Sequence, residues 1–245
     1  MAISFRMSGL LHQQMLRASL CGSLSISPQR EKFLDKPKII CVEGNIGAGK
    51  STLLPQLAIA LNATAILEPV DSDPEFQHLL GEFTSDPFNV DARSHFQCYI
   101  TAQRAELLNN LDPQGVYIIE RSLLSDLVFT HACIANYNST AEDIAKHMAC
   151  YQHLIGQINQ YPTIDYCIYL KTDPEVAYGR MRQRGRAEEM GLDLGYISDI
   201  NAFHDAVLPQ ACRKMGTILI NIDWNTPLTV TDLLPQLNAA GLVMN

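Results

Sequence analysis

Residues 38–52, KIICVEGNIGAGKST, constrain this chain more than any other stretch. Ile39, Ile40, Cys41 and Val42 form a short apolar run rich in β-branched residues, the pattern of a strand buried on both faces. The octet that follows, Gly44, Asn45, Ile46, Gly47, Ala48, Gly49, Lys50 and Ser51, fits G-x-x-x-x-G-K-[ST] without a mismatch. Its glycines let successive backbone N–H groups turn inward and make a nest for phosphate oxygens. Lys50 supplies a point charge for the β- and γ-phosphates, and Ser51 or Thr52 offers a hydroxyl to Mg²⁺. Leu53, Leu54, Leu57, Ala58 and Leu61 then recur at helical spacing, so the loop opens a helix whose positive end faces the phosphates. Strand before and helix after is the context this mechanism needs, and the stretch therefore predicts nucleotide-phosphate binding.

The chain has 245 residues, 47% of them hydrophobic, enough for one α/β domain with a substantial core. No apolar run approaches the ~20 residues of a membrane span. A net charge of −8 argues against general nucleic-acid binding, because a polyanion would be repelled. Seven scattered cysteines without a C-x-x-C pair read as small buried hydrophobes in a reducing compartment. The seven histidines lack ligand spacing, so no metal site is expected from them.

Residues 1–37 differ from the rest. Arg6, Arg17 and Arg30 are the only charged groups before Glu31, and serines are frequent. Two readings stay open: a mitochondrial transit peptide, or a plain extension ahead of the folded part. The folded domain is expected to occupy residues 38–245. The first reading predicts a mitochondrial protein, the second a soluble cytoplasmic one.

Beyond the first helix, residues 63–67 read as a second strand ending in Glu68-Pro69-Val70. A carboxylate at the C-terminal end of a strand beside a phosphate loop sits where α/β sheets place ligands, although an exposed turn glutamate would look the same. A long helix over residues 92–111 carries Phe96, Ile100, Leu107, Leu108 and Leu111 on one side. Gln97 and Arg104, two turns apart, share a face that is either solvated or turned to a ligand. Residues 116–119 form a third strand ending in Glu120-Arg121-Ser122, where a Mg²⁺-directed carboxylate belongs. Two helices follow, over residues 123–135 and 141–160, the second capped by Ser139 or Thr140. A fourth strand covers residues 166–170. Asp173 as N-cap and Pro174 as first helical residue open the next helix. It runs into Arg180, Arg182, Arg184, Gly185 and Arg186. Arginines two apart on a helix point to opposite sides, but Gly185 lets the chain leave helical geometry so that Arg184 and Arg186 fold over a phosphate chain as a lid. Cations solvated at the helix end are the alternative. A helix, a strand over residues 217–222 and a last helix complete five strands alternating with helices. That alternation predicts a parallel sheet flanked by helices.

Taken together, GNIGAGKST, EPV, ERS and RMRQRGRAEE resemble, in order and spacing, the deoxyribonucleoside kinase family, in its deoxycytidine and deoxyguanosine kinase branch. The resemblance spans residues 38–208. It implies a P-loop kinase that uses ATP and Mg²⁺ to phosphorylate the 5′-hydroxyl of a deoxynucleoside. Glu68 would be the general base, Arg121 would hold Glu68 and the reacting phosphate, and Glu120 would lie with Ser51 near Mg²⁺. Arg182, Arg184 and Arg186 would close over the phosphates. Glu189 would read the 3′-hydroxyl, Gln97 and Phe96 the base, and Arg104 with Asp126 its edge, favouring purines or cytosine over thymine. A homodimer joined by a helix bundle is also implied, a role the apolar residues of the two long helices could serve.

Three departures concern the sugar side. Asp73 stands where the family has an aromatic residue, with Phe76 displaced from it. Thr84 is the nearest match to a tyrosine that contacts the 3′-hydroxyl, and Leu127 replaces an arginine. A nucleoside-monophosphate kinase is the closest alternative, although EPV puts an acid where such an enzyme needs cations for a second phosphate. A non-catalytic nucleotide-binding switch of GTPase type should carry N-K-x-D, which this sequence lacks.

Overall fold

The computed structural model describes residues 36–86, 88–136, 140–161 and 164–242. Almost all of the N-terminal extension, Cys21 and Ser139 lie outside these residues. Five parallel strands, β1 (Lys38–Gly44), β2 (Thr64–Ile66), β3 (Val116–Glu120), β4 (Tyr166–Lys171) and β5 (Ile218–Asp223), form one sheet in the order β2-β3-β1-β4-β5. The helices between and after them are α1 (Lys50–Ala60), α2 (Pro74–Ser85), α3 (Val90–Asn109), α4 (Leu123–Asn136), α5 (Ala141–Ile158), α6 (Pro174–Arg184), α7 (Leu194–Met215) and α8 (Val230–Ala239). The expected parallel sheet flanked by helices, with an arginine-rich segment at its cleft, is what the chain forms.

Alternation along β1 explains why Ile39, Ile40, Cys41 and Val42 are all apolar. Ile39 and Cys41 enter the core beneath α2–α7, whereas Ile40 and Val42 enter the one beneath α1 and α8. All four are fully buried, and each aliphatic side chain so removed from water contributes about 1.5–3 kcal/mol. In register, Val42 lies opposite Glu120 of β3, and Gly44 opposite Leu170 of β4. After β1 the chain goes first to one side of it and later to the other, so the carboxyl ends of β3, β1 and β4 open a crevice at the strand-order switch.

The apolar side of α3 faces inward. Ile100 and Leu108 are buried, and Phe96, Leu107 and Leu111 pack on the same core, as do Tyr151, Leu154 and Ile158 of α5. These apolar stripes are therefore occupied by the chain's own interior. Thr140 caps α5 in a reciprocal box with Asp143. Asp173 holds the N-cap position of α6, but its side chain makes no cap bond; its N–H instead donates to Asn225 Oδ1 at 2.7 Å. Among the described residues, no helix is long and apolar enough to cross a membrane.

Candidate active site

The loop between β1 and α1 is built by backbone conformation. Gly47 has φ 79°, and a β-carbon there would run into the Ala177 carbonyl of α6. Gly49, at φ 96°, turns the chain into α1. Asn45 pins the loop, donating from Nδ2 to the Ile197 carbonyl at 2.8 Å and accepting the Ile46 N–H at 2.8 Å. Ala48 is fully buried beneath it. Lys50 Nζ donates back to the Gly44 and Asn45 carbonyls at 3.2 and 2.9 Å. Burial, with Arg121 nearby, lowers the Lys50 ammonium to about 7 despite the surrounding carboxylates. Of the two hydroxyl candidates, Ser51 turns to the site and donates to Glu120 Oε1 at 2.7 Å. Thr52 is exposed, and its N–H closes the first turn of α1 on Gly49.

Glu68, just beyond β2, is gripped by two arginines. Arg104 Nη2 reaches Oε1 at 2.6 Å, and Arg121 Nε lies 3.4 Å from Oε2. Burial pushes the Glu68 carboxyl up, but Arg104, Arg121 and Lys50 outweigh it, so the net shift is downward. The group is a carboxylate at neutral pH. Arg121 takes φ 61°, a left-handed conformation uncommon outside glycine and concentrated at functional sites. It follows directly from β3, and its N–H donates to the Val42 carbonyl of the neighbouring β1 at 3.0 Å. Its guanidinium stacks 5.0 Å from the Phe129 ring centre.

Arg104 also pairs with Asp126 on α4. Asp126 Oδ2 accepts from Thr101 Oγ1 at 3.2 Å, and Gln97 Nε2 donates to the same hydroxyl at 3.3 Å. Gln97, Thr101, Asp126, Arg104, Glu68 and Arg121 thus form one continuous polar chain. Burial raises the Asp126 carboxyl even though Arg104 and its hydrogen bonds oppose that shift. The solvated-face alternative for Gln97 and Arg104 does not hold, because both line the cleft. Phe96 lines it too, stacked on Phe83 at 5.8 Å and edge-on to Phe76 at 5.3 Å.

On the other wall, Glu189 is buried and takes both carboxylate contacts from Arg184 Nη2, at 2.7 and 2.6 Å. Arg186 pairs with Asp71 at 2.7 Å and lies 3.8 Å from Glu189. Both arginines line the cleft; Gly185, at φ 71°, ends α6 between them. Arg182 does not join them. It donates to the Met190 carbonyl at 3.0 Å and lies over Tyr178, because residues two apart on a helix point to different sides. Thr84 also departs from the expected substrate contact. It is buried, and its hydroxyl donates to the Glu188 carbonyl at 2.5 Å, anchoring the turn that presents Glu189.

Several cleft residues escaped the sequence reading. Arg93, Phe129, Cys133 and Tyr196 all line the cleft, from α3, α4 and α7. Glu43, fully buried at the end of β1, accepts from Ser122 at 2.7 Å and from Ser125. Burial holds its carboxyl above the usual range, although both serines and Arg121 oppose the shift. An acid closing an otherwise apolar strand was the one available signal for it. Ser51 and Glu120 supply oxygen donors of the kind Mg²⁺ selects when phosphates and water complete its shell, so the residues present fit that ion.

The family model described as "Deoxynucleoside kinase" matches residues 40–233. A Dictyostelium discoideum deoxyguanosine kinase is 27% identical over 82% of this chain and 69% of its own length. Human mitochondrial thymidine kinase 2 is 28% identical over 73% and 67%. A deoxyadenosine kinase of M. mycoides solved with bound dCTP shares the fold, with a TM-score of 0.65 and 23% identity over 82% of this chain and 99% of that one. The match of the family model across most of the chain, on a fold whose cleft joins a phosphate loop to a carboxylate held by arginines, makes this protein a member of the deoxynucleoside kinase family.

Proposed function

We propose that the protein transfers the γ-phosphoryl group of ATP to the 5′-hydroxyl of a deoxyribonucleoside, giving the 5′-monophosphate and ADP. The observation that carries this reading is the position of Glu68, ionised and held by Arg104 and Arg121 in the same cleft as Lys50. Glu68 takes the 5′-hydroxyl proton as the oxygen attacks the γ-phosphorus, and ADP departs as the P–O bond breaks. Arg121, Lys50, Arg184 and Arg186 neutralise charge on the transferring group, and such positioning is most of what phosphoryl transfer needs. Ser51 and Glu120 would hold Mg²⁺, which would supply positive charge to offset that of the phosphates. Phe96, Gln97, Arg104 and Asp126 face the base, and Glu189 faces the sugar.

The Arg104–Asp126 couple supports purine deoxynucleosides or deoxycytidine over thymidine, because fixed donors and a bulky guanidinium crowd a 5-methyl group. The same reading includes a folded domain from residue 38, a homodimer, and a soluble cytoplasmic or mitochondrial location.

A coupled assay with the four deoxynucleosides and their monophosphates tests the reaction. ADP release with a nucleoside acceptor is expected. Activity confined to monophosphates would favour a nucleotide kinase, and none with either would favour a binding module. A thymidine kcat/KM above the other three would end the specificity reading.

A further inference from the structure

Helices α3 and α5 lie side by side, and three contacts mark their seam. Lys146 pairs with Asp91 at 2.8 Å, Arg93 Nε reaches His147 Nε2 at 3.4 Å, and Cys98 Sγ lies 3.4 Å from Cys150 Sγ. The two thiols are 52 positions apart in sequence, so only the fold brings them together. Both are free; Cys98 is exposed and Cys150 half-buried. The other cysteines among the described residues, Cys41, Cys133, Cys167 and Cys212, are buried, although Cys133 borders the cleft.

The two thiols are also chemically unequal. The hydrogen bond from Cys98, resisted by burial and aided by Ser94 and His95, lowers the Cys150 thiol to about 6, while the same bond raises that of Cys98. Whichever sulfur ionises accepts a hydrogen bond from the other, and this contact favours a thiolate paired with a thiol. A nucleophilic sulfur with a resolving thiol in contact is what disulfide exchange requires.

We propose that Cys98 and Cys150 form a reversible oxidation site, at which a small-molecule disulfide converts the two thiols into one intrachain disulfide that fastens α3 to α5. The Cys150 thiolate attacks one sulfur of the reagent, forming a mixed disulfide and expelling the first reagent thiolate. Cys98 then gives up its proton and attacks Cys150 Sγ, expelling the second. Two protein thiols are oxidised, one reagent disulfide is reduced to two thiols, and the proton from Cys98 leaves on the second of them.

Closing from 3.4 Å to a bond of about 2.05 Å draws together the turns that carry the two sulfurs. Cys98 directly follows Phe96 and Gln97, so the displaced turn is the one that lines the nucleoside end of the cleft. Misplacing a positioning group by on the order of 1 Å costs up to about 10²-fold in rate. Oxidation is therefore expected to lower kcat/KM for the nucleoside severalfold and to leave the KM for ATP unchanged. This kinetic half rests on the proposed kinase reaction; the thiol chemistry does not.

The test treats the full chain with oxidised glutathione and maps it by non-reducing peptide mass spectrometry. A Cys98–Cys150 crosslink is expected, with an intact mass lower by two hydrogens and recovered by dithiothreitol. Cys98→Ser should retain a glutathione adduct on Cys150, because nothing resolves it, and its kinetics should not show the change caused by the disulfide. A crosslink to Cys133, a disulfide between chains, or an adduct persisting on Cys150 in the unaltered protein would overturn the proposal. So would equal nucleoside kcat/KM before and after crosslinking. If the reduced protein phosphorylates no nucleoside, the kinase reading fails, while the mapped crosslink still decides the thiol site.

Discussion

At the donor end of the cleft, the phosphate loop is made by a contiguous stretch between β1 and α1, and its shape comes from backbone dihedrals at Gly47 and Gly49. At the acceptor end nothing is contiguous. Glu68, Arg104, Arg121 and Asp126 come from four separate segments, and ion pairs hold them. A site made of backbone is stable wherever its glycines are allowed. A site made of converging buried charges holds only while each has its partner, since an isolated buried charge costs several kcal/mol. The two ends should therefore fail differently: the donor end through lost phosphate contacts, and the acceptor end through lost chemistry and lost stability together.

The largest effect should come from Glu68. Glu68→Gln is expected to lower kcat by about 10²–10⁴ while nucleotide binding persists. Steady-state kinetics with a parallel ATP titration checks this, and unaltered turnover would remove Glu68 from the role of base. At the opposite end, Lys50→Ala should lower kcat by about 10²–10³ and weaken ATP binding as well. Stability gives the sharpest contrast. Arg104→Leu leaves Asp126 buried without its cation and should lower unfolding free energy by about 3–5 kcal/mol, as read from urea melts. Lys50→Ala removes a buried cation and should not destabilise the fold. The double variant Arg104→Leu, Asp126→Leu should recover part of the loss.

Two smaller effects depend on pH. Free Lys50, with its pKa near 7, is mostly neutral at pH 8, and a bound triphosphate raises it again. Nucleotide binding at pH 8 should thus take up a fraction of a proton, measurable by calorimetry in buffers of differing ionisation enthalpy, and Lys50→Ala should abolish the uptake. Glu43 is raised from 4.5 in the fold, so the folded state holds that proton longer than the unfolded chain. Its contribution to stability is fully present below pH 4.5 and is lost as pH rises through the folded value. Glu43→Gln should flatten that fall; a pH–stability curve of unchanged slope would assign the fall to other groups.

The contrast between the two ends also explains what could be read in advance. The loop, the strands and the carboxylates Glu68 and Glu120 were legible because each is a local pattern: an apolar run, a glycine spacing, an acid at a strand end. Gln97 and Arg104 were legible only as a pair sharing a helix face; whether that face met solvent or cleft depended on α4. The contact of Arg104 with Glu68 had no signature, since the two lie 36 positions apart. Arg182 and Thr84 matched the motif order but are taken up elsewhere, by the Met190 carbonyl and by the turn before Glu189. The cysteines read as uniformly buried small residues, yet Cys98 and Cys150 stand near the surface and in contact.

The amino-acid order by itself determined the sheet, the phosphate loop and the family, because hydrophobic period and glycine placement act over a few residues. Which charges meet was decided only when the helices packed on the sheet. Pairing among buried ions depends on distances of a few ångströms between segments far apart along the chain, and no local pattern encodes those distances.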